Sequence, residues 1–441
     1  MGAGGARVTK VAVFGLWHLG SVTSACMAAM GHDVVGVDPN AGTITDLANG
    51  TPPISEPGLP ELVGEGIAAG RLRFSTDPAV LGEADIVWVT FDTPVDENDV
   101  ADVGFVTNHA RAALPHLARG ALVLVASQVP VGTTRALAGH AREIGRADLS
   151  FGCAPENLRL GSAINVFMRP DRVVVGLERE ADRAQVEALL VPLAAPIEFM
   201  SIESAEVTKH AINAFLATSV AYANEIAAIC EATGADAREV TRGLKSEARI
   251  GPRAYVAPGS AFAGGTLARD IAFLSQIGER SGIDLRLLPS VATSNQAHKS
   301  WALRNLRQLL GSVEGRRIAV LGLTYKPGTD TLRRSSAVEL TRELIGAGAD
   351  VVAYDPAVKA LPAEFGLHID LATSLVQAVS GTDAVVIATA WPDFLHADWT
   401  ALLPTMRRQV VLDPHGAVMN LVERVVGVSY VRVGYRSGDR N

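Results

Sequence analysis

Thiols are scarce in this sequence. Cys26, Cys153 and Cys230 are its three cysteines, far apart and odd in number. Neither a disulfide framework nor a cysteine zinc site is suggested. The ten histidines show no metal-ligand spacing, so no metal is expected. Positive charge is also in short supply: 39 Lys and Arg stand against 47 Asp and Glu, for a net charge of −8. A general surface for nucleic acid or anionic membrane is therefore not expected, although a local basic pocket for one small anion is allowed. No apolar run approaches the roughly 20 residues of a membrane span. The opening "MGAGGARVTK" has no apolar stretch long enough for a signal peptide, which makes the cytoplasm the expected location. "GTLARD" and "GLTYKPG" lack the Gly-Lys-Ser/Thr ending of a Walker loop, and no G-x-S-x-G elbow is present.

What is present is a repeat. "KVAVFGLWHLG" is followed about one helix later by "GHDVVGVDPN", and "RRIAVLGLTYKPG" is followed by "GADVVAYDPA". Each reads as strand, glycine turn, helix, strand and Asp-Pro. Apolar runs of four or five rich in Val and Ile indicate strands buried on both faces, as in parallel sheets. Each copy is therefore expected to be half of a doubly wound nucleotide-binding domain. Residues 201–308 have a different texture, mostly helical and rich in Ala, Leu and Ile. "SAEVTKHAINAFLATSVAYANEIAAICEATGAD" reads as one long helix, with Gly234 as its stop. The expected class is α/β: two Rossmann-like doubly wound domains, 1–200 and 309–441, joined by a central, mostly helical dimerisation domain. A plain internal spacer is the alternative for that centre.

The first glycine turn, Gly15 to Gly20, carries a partial dinucleotide fingerprint. Gly15 permits the tight turn, and Gly20 permits close packing of helix on strand. The middle position is Trp17, where a side chain hinders approach to a pyrophosphate; His18 and Leu19 complete the turn. Asp38 ends the next strand. An acid there accepts from a ribose 2′-hydroxyl and repels a 2′-phosphate, so NAD is the expected cofactor. A Rossmann-shaped domain with an altered site is the alternative that Trp17 keeps open.

From here the chain resembles the UDP-glucose/GDP-mannose dehydrogenase family. The likeness is carried by "PPISEPGLPELVGEGIAAGRLRFSTD", "FDTP", "SQVPVGTT", "APENLRLGSAINVFMRPDRVVVG", "RIGPRAYVAPGSAFAGGTLARD" and "GLTYKPGTDTLRRSS", in the family's order over nearly the whole chain. The resemblance implies oxidation of a nucleotide sugar's primary alcohol to a carboxylate with two NAD. A cysteine adds to the intermediate aldehyde, because a bare aldehyde has no oxygen anion from which to expel hydride.

The resemblance also implies roles. Glu156 assists thioester hydrolysis, Lys209 stabilises developing oxyanions and water, and Asn213 stands beside it. Lys209 and Asn213 are four apart and so share a helix face. Asp270 holds a catalytic water. Thr93 and Gln128 fall in cofactor segments, Lys326 meets substrate phosphate and Arg333 is a cofactor-side cation. Arg249 reaches a partner subunit's sugar site. Tyr255, Phe262, Gly264 and Arg269 lie in the substrate loop.

The departures sit in the chemistry. Where the family has Phe-Gly-Gly-Ser-Cys-x-Pro-Lys-Asp, this chain has Phe262 through Asp270 with Thr266 at the nucleophile position and Arg269 at the lysine. Gln128 replaces a threonine of the water network, Leu160 replaces a glutamate, and one residue near Ala254 is extra. A threonine hydroxyl is far less acidic than a thiol of pKa ~8.5 and cannot replace it. The expectation is one hydride transfer, on a nucleotide sugar or nucleoside, in a homodimer. A redox-neutral dehydratase or epimerase, and a non-catalytic binding homologue, are the alternatives. Bland roles exist too: Lys209 could pair with Glu206, and Asp270 could cap the helix that follows it.

Overall fold

The computed structural model describes residues 8–96, 101–263, 265–362, 365–366, 369–423 and 425–436. These form two compact units, Met1–Ala211 and Ile212–Asn441.

The first unit is built on eight strands: β1 (Lys10–Phe14), β2 (Asp33–Val37), β3 (Leu72–Ser75), β4 (Ile86–Val89), β5 (Leu122–Val125), β6 (Ser150–Cys153), β7 (Val173–Leu177) and β8 (Ile197–Met200). Their order is β3-β2-β1-β4-β5-β6-β7-β8, and every pair is parallel except β6 with β7. The central strands β4, β5 and β6 are buried at every residue, which is why β4 and β5 read as unbroken apolar runs. The order reverses between β1 and β4, so the crevice for a ligand opens at the carboxyl ends of those two strands.

The second unit holds β9 (Arg317–Leu321), β10 (Asp350–Tyr354), β11 (Asp370–Leu371), β12 (Ala384–Ile387), β13 (Val410–Leu412), β14 (Ser429–Arg432) and β15 (Tyr435–Arg436). The order is β11-β10-β9-β12-β13-β14-β15, parallel as far as β14, and it reverses between β9 and β12. Both halves of the repeat thus head doubly wound sheets. The same unit carries helices Ala237–Ser246, Thr266–Arg280, Leu287–Lys299 and Trp301–Leu310.

The long helix spans Ile202–Thr233 and stops at Gly234, whose φ is 73°. By length and composition it is able to cross a membrane, with a mean hydropathy of 1.2 over its most apolar window. It is not an unbroken apolar run, since Glu, Lys, His and Asn interrupt it. Its polar side chains, however, bond within the protein: Glu206 to Gly132 and Thr134, Asn213 to Asp270, and Asn224 to Gly259.

Candidate active site

The repeat extends to single hydrogen bonds. Gly15 N–H donates to Val37 O at 2.9 Å, and Gly322 N–H donates to Tyr354 O at 2.8 Å. Leu16 N–H donates to Asp38 Oδ2 and Leu323 N–H to Asp355 Oδ2, both at 2.7 Å. Asn40 and Ala357 donate to the respective Oδ1 atoms, both at 2.9 Å. The two aspartates differ in what remains. Asp355 Oδ2 also accepts from Thr324 N–H, Thr324 Oγ1 and Trp391 Nε1, so it is saturated. Asp38 carries one bond on each oxygen, and a carboxylate oxygen accepts two, so capacity for a ribose hydroxyl remains.

The second glycine of the turn makes the same distinction; the first does not, since Gly322 has φ 84° and a Cβ there would lie 2.5 Å from Thr389. Gly15 has φ 100°, and a Cβ there would lie 2.7 Å from the Phe91 ring. A Cβ on Gly20 would lie 1.8 Å from Gly15 O, so only glycine lets the helix His18–Ala29 approach the turn. The first turn passes from β1 to a helix in three residues, whereas β9 is followed by the long segment 322–335 before Ser336–Gly346. The first copy is therefore the one that fits a dinucleotide. Trp17 stands at the turn half exposed, and His18 Nε2 lies 3.0 Å from Glu56 Oε2. Glu56 is buried and also accepts from Gly161 N–H and Ala163 N–H. One carboxylate thus ties the glycine turn to the segment after Glu156. Nothing in the local sequence marks it.

The remaining first-unit candidates lie at the same sheet edge. Thr93 follows β4, Gln128 follows β5, and Thr93 Oγ1 donates to Gln128 O at 2.6 Å. Glu156 follows β6. Lys209 Nζ donates to Glu156 O at 2.6 Å and to Asn157 Oδ1 at 3.0 Å. Glu206 is spent on the N-terminus of helix Thr133–Glu143, accepting from Gly132 N–H and Thr134 N–H. Burial pushes the Glu156 carboxyl up to about 7, against the pull of Lys209. Leu160, half-buried, brings no carboxylate to this segment.

In the second unit Thr266 is the exposed first residue of helix Thr266–Arg280. Asp270 lies inside that helix and not at its cap; it has no exposure, and Asn213 Nδ2 donates to its Oδ2 at 2.5 Å. The loop before Thr266 is pinned by groups distant in sequence. Gly259 N–H donates to Asn224 Oδ1, His298 Nε2 lies 2.8 Å from Gly259 O, and Ser260 Oγ lies 3.0 Å from His415 Nε2. Both backbone groups of Phe262 bond to the Asn295 amide. Arg269 is half-buried in the helix, and Gly264 lies outside the described residues. Lys326 is half-buried, and its carbonyl accepts from Thr329 Oγ1. Tyr255 is exposed, and Arg249 is exposed and paired with Glu247 of its own chain. Arg333 is exposed too. Its neighbour Arg334 is the one that turns inward, with Nη1 2.8 Å from where a Cβ on Gly265 would stand.

Three domain descriptions match along the chain: the UDP-glucose/GDP-mannose dehydrogenase family's NAD binding domain over residues 9–194, its central domain over 203–297 and its UDP binding domain over 319–420. UDP-glucose 6-dehydrogenase TuaD of Bacillus subtilis (strain 168) is 34% identical over 426 residues, 96% of this chain and 92% of that protein. A UDP-glucose dehydrogenase structure from the archaeon Pyrobaculum islandicum superposes with a TM-score of 0.88 at 31% identity, covering 99% of this chain and 100% of that one. A UDP-D-ManNAc dehydrogenase structure from Pyrococcus horikoshii gives 0.84 at 26% identity, over 96% and 99%. The chain belongs to the UDP-glucose/GDP-mannose dehydrogenase family. It is an NAD-dependent oxidoreductase with the family's NAD-binding and UDP-binding domains, and the latter points to a nucleotide-sugar substrate.

Proposed function

We propose that this enzyme oxidises a hydroxyl of a nucleotide sugar or nucleoside by one hydride transfer and releases the carbonyl compound. The observation that carries this reading is the placement of the thiols. Residue 266 is a threonine, and Cys26, Cys153 and Cys230 are all free and buried. Burial pushes Cys26 up to about 12 and raises Cys153 and Cys230 as well, so none supplies a thiolate near neutral pH.

NAD supplies the hydride acceptor. The chain's own residues supply the rest. Asp38 selects the 2′-hydroxyl, and Gly15 and Gly20 make room for the dinucleotide. Glu156 takes the proton of the hydroxyl, because a carboxyl poised near 7 exchanges protons at neutral pH. Lys209 holds the Glu156 segment by its carbonyl, and Asn213 orients Asp270. The chain is then divided as 1–200 for NAD, 201–308 for the central helices and 309–441 for the nucleotide side of the substrate. Phe215, Tyr222 and Ile229, seven apart and exposed along the long helix, support a homodimer built on that face. Three free thiols support a cytoplasmic location.

The test is the stoichiometry of NADH per sugar oxidised, with mass analysis of the product. One NADH and an aldehyde or ketone are expected. Two NADH and a carboxylate would refute the reading. The Glu156 environment favours one second reading, a redox-neutral lyase or epimerase, since the carbonyl formed first acidifies the neighbouring C–H that such a base removes. In that case no NADH accumulates, and solvent deuterium enters the sugar beside the oxidised carbon.

A further inference from the structure

Arg334 holds an unusual backbone position. Among the described residues only Ala194 and Arg334 are non-glycine with φ in the left-handed region, and Arg334 has φ 59°. Cβ crowds the following carbonyl in that conformation, and a branchless glycine is the usual occupant. The turn is held from both sides. Ser335 N–H donates to Leu332 O, and Ser335 caps the helix Ser336–Gly346 through Ala337 N–H. The side chain emerges toward Gly265. A Cβ on Gly265 would stand 2.8 Å from Arg334 Nη1 and 3.6 Å from its Cδ and Cζ, and Thr266 is the next residue. Strained non-glycine residues of this kind persist where the surroundings over-determine them, and they gather at functional sites.

We propose that Arg334 is a substrate-contacting residue, whose guanidinium binds a negatively charged oxygen on the substrate carbon that faces Thr266. The proposal rests on the reading above that Thr266 stands at the family's nucleophile position. A guanidinium is a permanent cation with donors in a fixed fork and no acceptor, and it matches a carboxylate two bonds to two. A nucleophile at 266 would meet an electrophilic carbon. A guanidinium one residue away meets that carbon's oxygen instead. The charge has two sources: a carboxylate already present at that carbon, in which case the hydride leaves a different carbon of the sugar, or the alkoxide formed when a hydroxyl at that carbon loses its proton, ahead of the hydride's departure that turns it into a carbonyl.

The experiment compares the parent protein with Arg334→Gly and Arg334→Lys. UDP-glucuronate, with a carboxylate at that carbon, and UDP-glucose, with a hydroxyl, are the probes, titrated by calorimetry and assayed for turnover. The parent is expected to bind UDP-glucuronate at least ~10-fold more tightly. Arg334→Gly is expected to lose that preference while its Tm rises, since glycine adopts the left-handed backbone freely. Millimolar guanidinium ion is expected to restore part of the lost function. If the parent binds both sugars alike but Arg334→Gly lowers kcat ~10²-fold at unchanged KM, the partner is the alkoxide.

The proposal is overturned if Arg334→Gly keeps binding preference and kcat, if Tm and activity fall together in both variants, or if the parent binds neither sugar. The two readings fail separately. Two NADH per sugar would sink the single-hydride reading and leave an Arg334-dependent preference standing. A preference indifferent to Arg334 would do the reverse.

Discussion

Replacing Glu156 by glutamine removes a charge while leaving the local scaffold in place. Lys209 bonds to the Glu156 carbonyl and to the Asn157 side chain, and both bonds survive the substitution. Burial lifts the carboxyl from its ordinary 4.5 to about 7. The full displacement corresponds to ~3 kcal/mol between the two protonation states. Glu156 keeps some solvent contact, so ~1–2 kcal/mol is the expected effect. The sign follows from proton counting. Below about 4.5 both folded and unfolded chains hold the proton. Between about 4.5 and 7 the unfolded chain releases it and the folded chain keeps it, so stability falls as pH rises. Above about 7 the folded protein carries the whole cost of the buried charge. Glu156→Gln is therefore expected to be more stable than the parent at pH 8 by ~1–2 kcal/mol and equal to it near pH 4. Urea unfolding at pH 4, 6 and 8 reads this directly. The parent's kcat should rise through pH ~7, and Glu156→Gln should lose that rise together with ~10²–10⁴-fold in rate. A variant less stable than the parent at pH 8 would mean that the carboxylate stabilises the fold as a partner of Lys209, and the reasoning from burial would be wrong.

Gly20→Ala would drive a methyl into Gly15 O, a backbone atom that cannot rotate away. We expect a loss of ~1–3 kcal/mol in stability and a weakened NAD affinity by titration, and an unchanged affinity would remove the packing role. Asn213→Ala takes a hydrogen bond from a carboxylate with no exposure, so unfolding should show a loss of ~1–3 kcal/mol; a neutral result would mean the amide is dispensable to Asp270. Thr266→Ala should cost no more than ~10-fold in kcat/KM, a net hydrogen bond's worth, and Thr266→Cys should still yield one NADH per sugar. Phe215→Glu should convert a dimer to a monomer by light scattering, and a dimer of undiminished strength would place the interface elsewhere.

The parts legible in the sequence are those where a local backbone demand leaves few residue choices. A strand buried on both faces must be apolar throughout, so β1, β4 and β5 announce themselves. A turn with φ near 100° that meets a ring and a helix demands glycine at 15 and 20, and an acid after β2 needs only its position to be noticed. The repeat and the two sheets followed from such constraints, and the family from the likeness of whole motifs in order along the chain. The rest depended on contacts between residues far apart along the chain. Both Asp38 and Asp355 read as the acid after a second strand, yet Trp391 and Thr324 saturate Oδ2 of Asp355, and only packing reveals that. Glu206 seemed open to Lys209 one turn away, but it caps a helix some seventy residues earlier. A helix cap stayed open as the alternative for Asp270 because a helix could begin there, whereas the helix starts at Thr266 and carries Asp270 inward to Asn213. Arg333 and Arg334 are the same residue twice. Which guanidinium lies against Gly265 is decided by one left-handed φ, and a backbone dihedral of that kind is set by the tertiary contacts around the turn, which the residue type alone does not encode.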